Sequence, residues 1–314
     1  MTAPPAAEFD RAQSHPSRDE PSPHDLTPMA PQGSRSPSAR SFVGSLEEAA
    51  LRHRAVNHPL LDTLSEGTRE ASHAVLREFA LSYPDYAHRF PRYLSAVISR
   101  VEDQRHRTWL LENLQEESGN YGQEEIDALK AHGLRREWFD GIPHPKLFDR
   151  FTLAVGVEPE ERAPVKEVVR WSELFLQILL EGPPAQAVGA LGLGTELIVQ
   201  AIYAPFTAAV ERHPDISSRD GVFFALHSLV DEKHQAALRS IAVDMASSPQ
   251  GRIDLDRGMI KSLNLRASYW DWLRNRALGP TMEGEHPRTW NHDEAPNRST
   301  TSKLRSGHAA PDLC

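Results

Sequence analysis

The stretch Ala225-Leu-His-Ser-Leu-Val-Asp-Glu-Lys-His-Gln-Ala-Ala-Leu238 sets His227, Asp231 and His234 in the pattern H-x3-D-x2-H. At roughly 100° per residue, offsets of four and seven bring all three side chains onto one helical stripe. Phe223, Phe224, Val230, Leu238 and Ile241 lie on or beside that stripe, so it faces a core. Three polar groups left bare there would each cost several kcal/mol of desolvation, on the order of 2–7. A metal ion removes that cost, and imidazole with carboxylate suits a first-row transition metal such as iron or zinc. Taken alone, the triplet is equally compatible with a hydrogen-bonded core cluster. The decision rests on further ligands elsewhere in the chain.

Glu196 is the clearest addition. On a helix its neighbours are Gly189, Gly192, Leu193, Val199 and Tyr203, an apolar setting for a carboxylate, and the small residues are expected to leave space beside it. Glu117 shares a face with Leu110, Asn113 and Leu114 and is expected to point inward, whereas Glu116 shares the face of Trp109 and Glu112 and is expected to meet water. His144 opens an apolar helix through Leu147, Phe148 and Phe151, a position that also suits a cap. Glu117, His144, Glu196, His227, Asp231 and His234 together form a ligand set for two ions sharing carboxylates in a bundle core. Mixed oxygen and nitrogen ligation favours iron or manganese over structural zinc. The Glu-x-x-His motifs of ferritin-like bundles are missing at inward positions, so a different bundle is expected.

The surrounding sequence reads as helical throughout. Ser45-Leu-Glu-Glu48 is a capping-box pattern expected to open a first helix. Thr68 is expected to cap a helix that Pro84 stops. Apolar periodicity predicts further helices over about 91–118, 144–155, 160–181, 185–212, 218–246 and 257–278, with Pro205 a candidate kink. No strand-like alternation competes. Residues 1–42 and 281–314 are expected to be disordered tails; residues 1–40 alone hold eight of the 24 prolines, too polar to offset ordering entropy. Residues 43–280 are the expected domain.

Net charge is −9 and no basic stripe occurs, so no nucleic-acid partner is expected. The absence of an apolar N-terminal run or of an 18-residue apolar stretch predicts no secretory signal and no membrane span. The single cysteine, Cys314, excludes a disulfide framework or a core thiol nucleophile and points to the cytoplasm.

Several stretches resemble the haem-oxygenase-like di-iron oxidases: His58-Pro-Leu-Leu61, Asn113-Leu-Gln-Glu-Glu-Ser-Gly119, His144-Pro-Lys-Leu-Phe-Asp-Arg-Phe151, Gly194-Thr-Glu196 and the H-x3-D-x2-H at 227–234. The resemblance runs from about residue 45 to 278. It implies an all-α, seven-helix bundle using two irons and O2 on small metabolites, often in specialised metabolism such as antibiotic biosynthesis. Family chemistries include N-oxygenation of amines, oxidative C–C cleavage or desaturation of amino acids, and fatty-acid decarboxylation. The long gap between Glu117 and His144 resembles that of N-oxygenating members, some of which add a carboxylate ligand there; Glu137 is the candidate, with Glu124 and Glu125 behind it.

Sister branches fit less well. Thiaminase-like members need a core cysteine, metal-free quinone-cofactor synthases do not need this carboxylate set, and haem-binding members use one axial His. The branch that consumes its own tyrosine is expected to carry a lysine near the middle glutamate, and residues 185–211 contain none.

The resulting expectation is an O2-dependent di-iron oxygenase. Glu117, His144 and His227 are expected on one iron, with Glu196, Asp231 and His234 largely on the other. The substrate is expected to be a small amino-acid-like amine, the reaction N-oxygenation, with C–C cleavage or desaturation as the alternative. A metal-binding protein without turnover is the rival of a different class. An external electron donor and a homodimer fit this reading, and Arg89, Arg92 and Trp171 are candidate pocket residues.

Overall fold

Apolar residues recur every three or four positions along the chain, and in the computed structural model each such segment is a helix. Residues 38–280 are described, except that the side chains of residues 230–234 lie outside the described set. The helices are α1 (Ala39–Arg52), α2 (Pro59–Glu66), α3 (Arg69–Ser82), α4 (Pro84–Ala87), α5 (Phe90–Ile98), α6 (Gln104–Glu117), α7 (Gln123–Ala131), α8 (His144–Ala154), α9 (Lys166–Glu181), α10 (Pro184–Val188), α11 (Val199–Glu211), α12 (Val222–Met245) and α13 (Pro249–Leu278). No strand occurs among the described residues.

Local chemistry sets the boundaries. Thr68 Oγ1 accepts from the Ala71 N–H at 3.2 Å and starts α3, as its sequence predicts. The first helix starts earlier than the capping box implied: Ser38 Oγ accepts from the Ser41 N–H at 3.1 Å. Ser45 therefore sits inside α1, and its hydroxyl donates to the Phe42 carbonyl. Of the expected tail 1–42, only residues 38–42 are described, and they open this helix; the remainder and 281–314 lie outside the described residues. The helix expected over 91–118 is two, because residues 99–103 leave helical geometry and the Asp103 carboxylate caps α6 through the Arg105 and His106 N–H groups.

The long helices form a bundle. α12 packs on α11, α6 and α8, and α13 packs on α3, α9, α10 and the segment that follows α10. Between them lies an aromatic core of Phe79, Phe148, Phe151, Phe206, Phe224 and Trp270, all fully buried. Phe206 stacks on Phe224 with ring centroids 5.1 Å apart. The segment Pro184–Glu211 is, against the sequence reading, long and apolar enough to cross a membrane by length and composition. It is 78% buried inside the bundle, where packing accounts for its apolar character.

That segment is also not one continuous helix. Gly189–Leu193 forms a π turn, Glu196–Ile198 a 3-10 turn, and α11 follows. The glycines do not serve to leave room beside Glu196. A Cβ on Gly189 would lie 2.1 Å from the Leu255 carbonyl oxygen, and one on Gly194 would lie 2.6 Å from Ser262 Cβ. They let this segment approach α13 closely. The break that results turns Glu196 inward. Short π turns inside helices recur at functional sites for this reason: they re-aim a side chain.

Candidate metal centre

Glu117 is the last residue of α6, and His144 is the first of α8. The segment 118–143 returns the chain to its starting point, and the return depends on Gly119. Its φ is +86°, a region other residues enter at a cost, and an added Cβ would lie 2.6 Å from the Ile142 backbone N. The Gly141 N–H donates to the Gly119 carbonyl at 2.9 Å. This closure pins Ile142 and Pro143 against the end of α6 and delivers His144 beside Glu117.

His144 Nδ1 lies 3.1 Å from Glu117 Oε1, and both side chains are buried. The contact is close, yet Nδ1 makes no hydrogen bond, because the two atoms are not aligned for one. On the other edge of the ring, Nε2 is 2.5 Å from the Tyr121 hydroxyl. Burial, and then the neighbouring Glu117 and Glu116 carboxylates, push the Tyr121 hydroxyl well above the usual phenol range, so it stays neutral. An Nε2–H donated to Tyr121 leaves the Nδ1 lone pair facing Glu117. His227 comes from α12, with its ring centroid 4.7 Å from that of His144. Its Nδ1 bonds to the Phe223 carbonyl one turn back at 2.7 Å, which makes Nε2 the acceptor nitrogen of the ring.

Glu117, His144 and His227 thus offer three donor atoms that all lie within 4.8 Å of one another. The residues fit a cation. A buried imidazole nitrogen without a hydrogen bond faces a carboxylate oxygen at a spacing suited to neighbouring ligands, with bonds of about 2.0–2.2 Å to a shared ion. Glu196 is buried and lines the same cavity, with Tyr83, Tyr86, Tyr203 and Arg266. The cavity is narrow, about 30 Å³.

Of the six expected ligands, Glu117, His144, Glu196 and His227 come together around this cavity. Asp231 and His234 belong to α12, and their side chains lie outside the described residues. Glu116 is buried, against the expectation that it meets water, at the end of a helix on which α5 and α12 both pack. Glu137 sits exposed in a 3-10 turn and Glu124 is exposed on α7, so neither reaches the centre; Glu125 is partly buried on α7 and does not line the cavity. Arg89 and Arg92 do not line it either, and Arg92 is exposed. His58 is structural: its Nδ1 caps α2 and its Nε2 meets Asp271 at 3.0 Å.

The sequence reading missed Tyr121 and Arg266, and placed Tyr203 beside Glu196 without a role of its own. Arg266 carried a legible signal. It is the one basic residue in the series Met259, Leu263, Arg266, Trp270, Leu273, whose three- and four-residue steps mark the core face of α13.

A helical bundle with carboxylates and imidazoles converging on a core cavity is the arrangement in which bundle proteins hold metal ions. A family profile described as iron-containing redox enzyme, of haem-oxygenase type, matches residues 77–267. The chain belongs to this family, and it is an oxidoreductase. It is 25% identical over 236 residues to a protein named 4-aminobenzoate synthase from Chlamydia pneumoniae, covering 74% of this chain and 93% of that one. A protein of the same name from Chlamydia muridarum is 23% identical over 236 residues, covering 74% and 89%. Among solved structures, a CADD-like protein of unknown function from Nostoc punctiforme aligns with a TM-score of 0.57 at 17% identity, covering 76% of this chain and 95% of that one. A domain with a haem-oxygenase-like fold from Shewanella denitrificans aligns with a TM-score of 0.55 at 16% identity, covering 77% and 94%. These two likenesses bear on the fold alone.

Proposed function

We propose that the protein is an O2-dependent, non-haem di-iron oxygenase that adds oxygen at the nitrogen of a small amino-acid-like amine. The observation that carries this reading is the Glu117–His144–His227 group, its first two members buried and His227 half-buried, with its unbonded His144 Nδ1. These three residues would hold one iron, and Glu196, with Asp231 and His234 by their helical spacing along α12, would hold the second. When bound, two ferrous ions supply electrons to O2 in pairs.

The chain's own residues fix the geometry for this chemistry. Tyr121 holds the His144 ring by its Nε2 edge, and the Phe223 carbonyl holds His227 by Nδ1. Ala87, Val199 and Phe223 line the cavity and keep it dry. The Tyr83 and Tyr203 hydroxyls, 2.9 Å apart, give the wall a polar pair that can receive a substrate N–H or O–H. The reaction is proposed to belong to specialised metabolism in the cytoplasm, a compartment supported by the single cysteine.

A second reading, formation of an aromatic amine bearing a carboxylate, is favoured by the name and the length-spanning similarity of the chlamydial relatives. Among the described residues, the cavity lining includes three tyrosines and no lysine. That composition supports an external substrate over consumption of a residue of the chain.

Anaerobic titration with ferrous iron tests the reading. About two irons per chain are expected, as for six ligands shared between two ions, with amine-stimulated O2 uptake. Glu117→Gln and His227→Ala should each lower iron uptake with helical content kept, while His132→Ala, at an exposed position, should not. Saturation at one iron, or a preference for a single zinc, would refute the di-iron assignment. Product mass separates the chemistries: N-oxygenation adds oxygen to an intact carbon skeleton, cleavage loses carbon, and desaturation loses two hydrogens.

A further inference from the structure

Arg266 is a cation buried where, among the described residues, no carboxylate meets it. Its residue is 3% exposed. Among the described residues its one hydrogen bond runs from Nη1 to the Tyr83 hydroxyl at 3.1 Å, and no carboxylate lies within ion-pair distance. Instead it sits in an aromatic cage: Cζ is 4.7 Å from the Trp171 ring centroid, 4.9 Å from Tyr86 and 5.4 Å from Trp270. Ring faces recover only part of the hydration a guanidinium loses. Charged side chains are almost never fully buried unless paired, and this one cannot shed its proton to relieve the cost. The same side chain forms a wall of the cavity that holds Glu117, His144 and His227.

We propose that Arg266 is the anchor for the carboxylate of an amino-acid-like substrate, whose amine end is thereby directed at the metal centre. This rests on the oxygenase reading and names its substrate class. A planar guanidinium presents paired N–H donors that match a carboxylate. Tyr86 stacks on Trp171 at 4.1 Å, and Trp171 on Tyr269 at 4.7 Å, so the cage is locked and the guanidinium plane is held before any ligand arrives. A substrate bound at one end by Arg266 supplies the missing counter-ion, and this selects acids over the corresponding amides or amines.

The test is binding, read by calorimetry under anaerobic conditions with benzoate, 4-aminobenzoate and L-tyrosine, each against its primary amide. Titrations use the iron-loaded protein and, in parallel, protein held in chelator. At least one acid should bind the iron-loaded protein roughly tenfold or more tightly than its amide. Arg266→Lys, which keeps the charge but not the paired donors, should erase most of that preference at unchanged iron content. A crystal structure with the bound acid should place its carboxylate on the Arg266 guanidinium, which decides the matter if the variant does not fold. Equal binding of acid and amide, no acid binding at all, or an acid preference insensitive to Arg266→Lys overturns the proposal. So does a preference that disappears in chelator while surviving Arg266→Lys, because the acid would then sit on the metal. Loss of iron uptake or O2 use with the Arg266-dependent preference intact counts against the oxygenase reading instead.

Discussion

Replacing Gly119 by alanine puts the closure that builds the metal centre under direct strain. The residue has φ +86°, where a Cβ costs roughly 1–2 kcal/mol. The added methyl would also lie 2.6 Å from the Ile142 backbone N and C, closer than real Cβ atoms approach, so the loop must shift. Such overpacking costs roughly a further 1–3 kcal/mol, giving about 2–5 kcal/mol in all. For a domain of this size each kcal/mol lowers the melting temperature by about 2–4 °C. Gly133 supplies the control. Its φ is +89°, but nothing lies within 4 Å of the Cβ it would gain. Gly133→Ala should therefore lose only the conformational part, about 1–2 kcal/mol. The difference between the two variants isolates the close approach at Ile142. Because Ile142 is two residues before His144, Gly119→Ala should also weaken ferrous iron binding at least about tenfold, as disruption of supporting contacts at metal sites does. Gly133→Ala should leave it unchanged. Thermal melting and anaerobic iron titration of both variants are the assays. Equal destabilisation, or full iron affinity in Gly119→Ala, would refute the argument that this turn sets the ligand geometry.

Three further expectations follow from other contacts. Tyr121→Phe removes the 2.5 Å bond to His144 Nε2 and should lower iron affinity about 10–100-fold with little change in melting temperature; unchanged affinity would mean that packing alone orients the ring. Burial holds His58, and likewise His53 and His213, below the ordinary histidine value of 6.5. The folded state therefore binds fewer protons than the unfolded one below that value, so stability is full above about pH 6.5 and falls as the solution is acidified through the folded values. His58→Asn, which retains an acceptor for the Leu60 N–H, should flatten that acid loss in melts run in chelator, and an identical pH profile would remove His58 from the account. Hydrogen exchange over residues 188–203 should slow on ferrous loading, since binding free energy at Glu196 becomes local order in a segment that already departs from regular helix; equal protection with and without iron would mean a preformed turn.

Much of the fold and part of the centre were legible from residue order alone. Helical periodicity is local, and so are caps such as Thr68, so the all-α class and most helix positions follow from spacing and turn chemistry. The inward face of Glu117, His227 on its apolar stripe and the opening of α8 by His144 are likewise consequences of position within a helix. Other features depend on contacts between residues distant in sequence. Glu116 is buried at the end of α6, on which α5 and the distant α12 pack, and no helical wheel contains that. The glycines around Glu196 looked like space for a metal and are instead contact points with Leu255 and Ser262, far along the chain on α13. That Arg266 meets no carboxylate among the described residues could not be read at all. Its position on the core face of α13 was visible in the sequence, but whether a carboxylate meets a buried cation is settled only when α3, α4, α9 and α13 close around it. Periodicity reports which way a side chain faces; burial and partnership belong to the assembled bundle, because they depend on what arrives opposite.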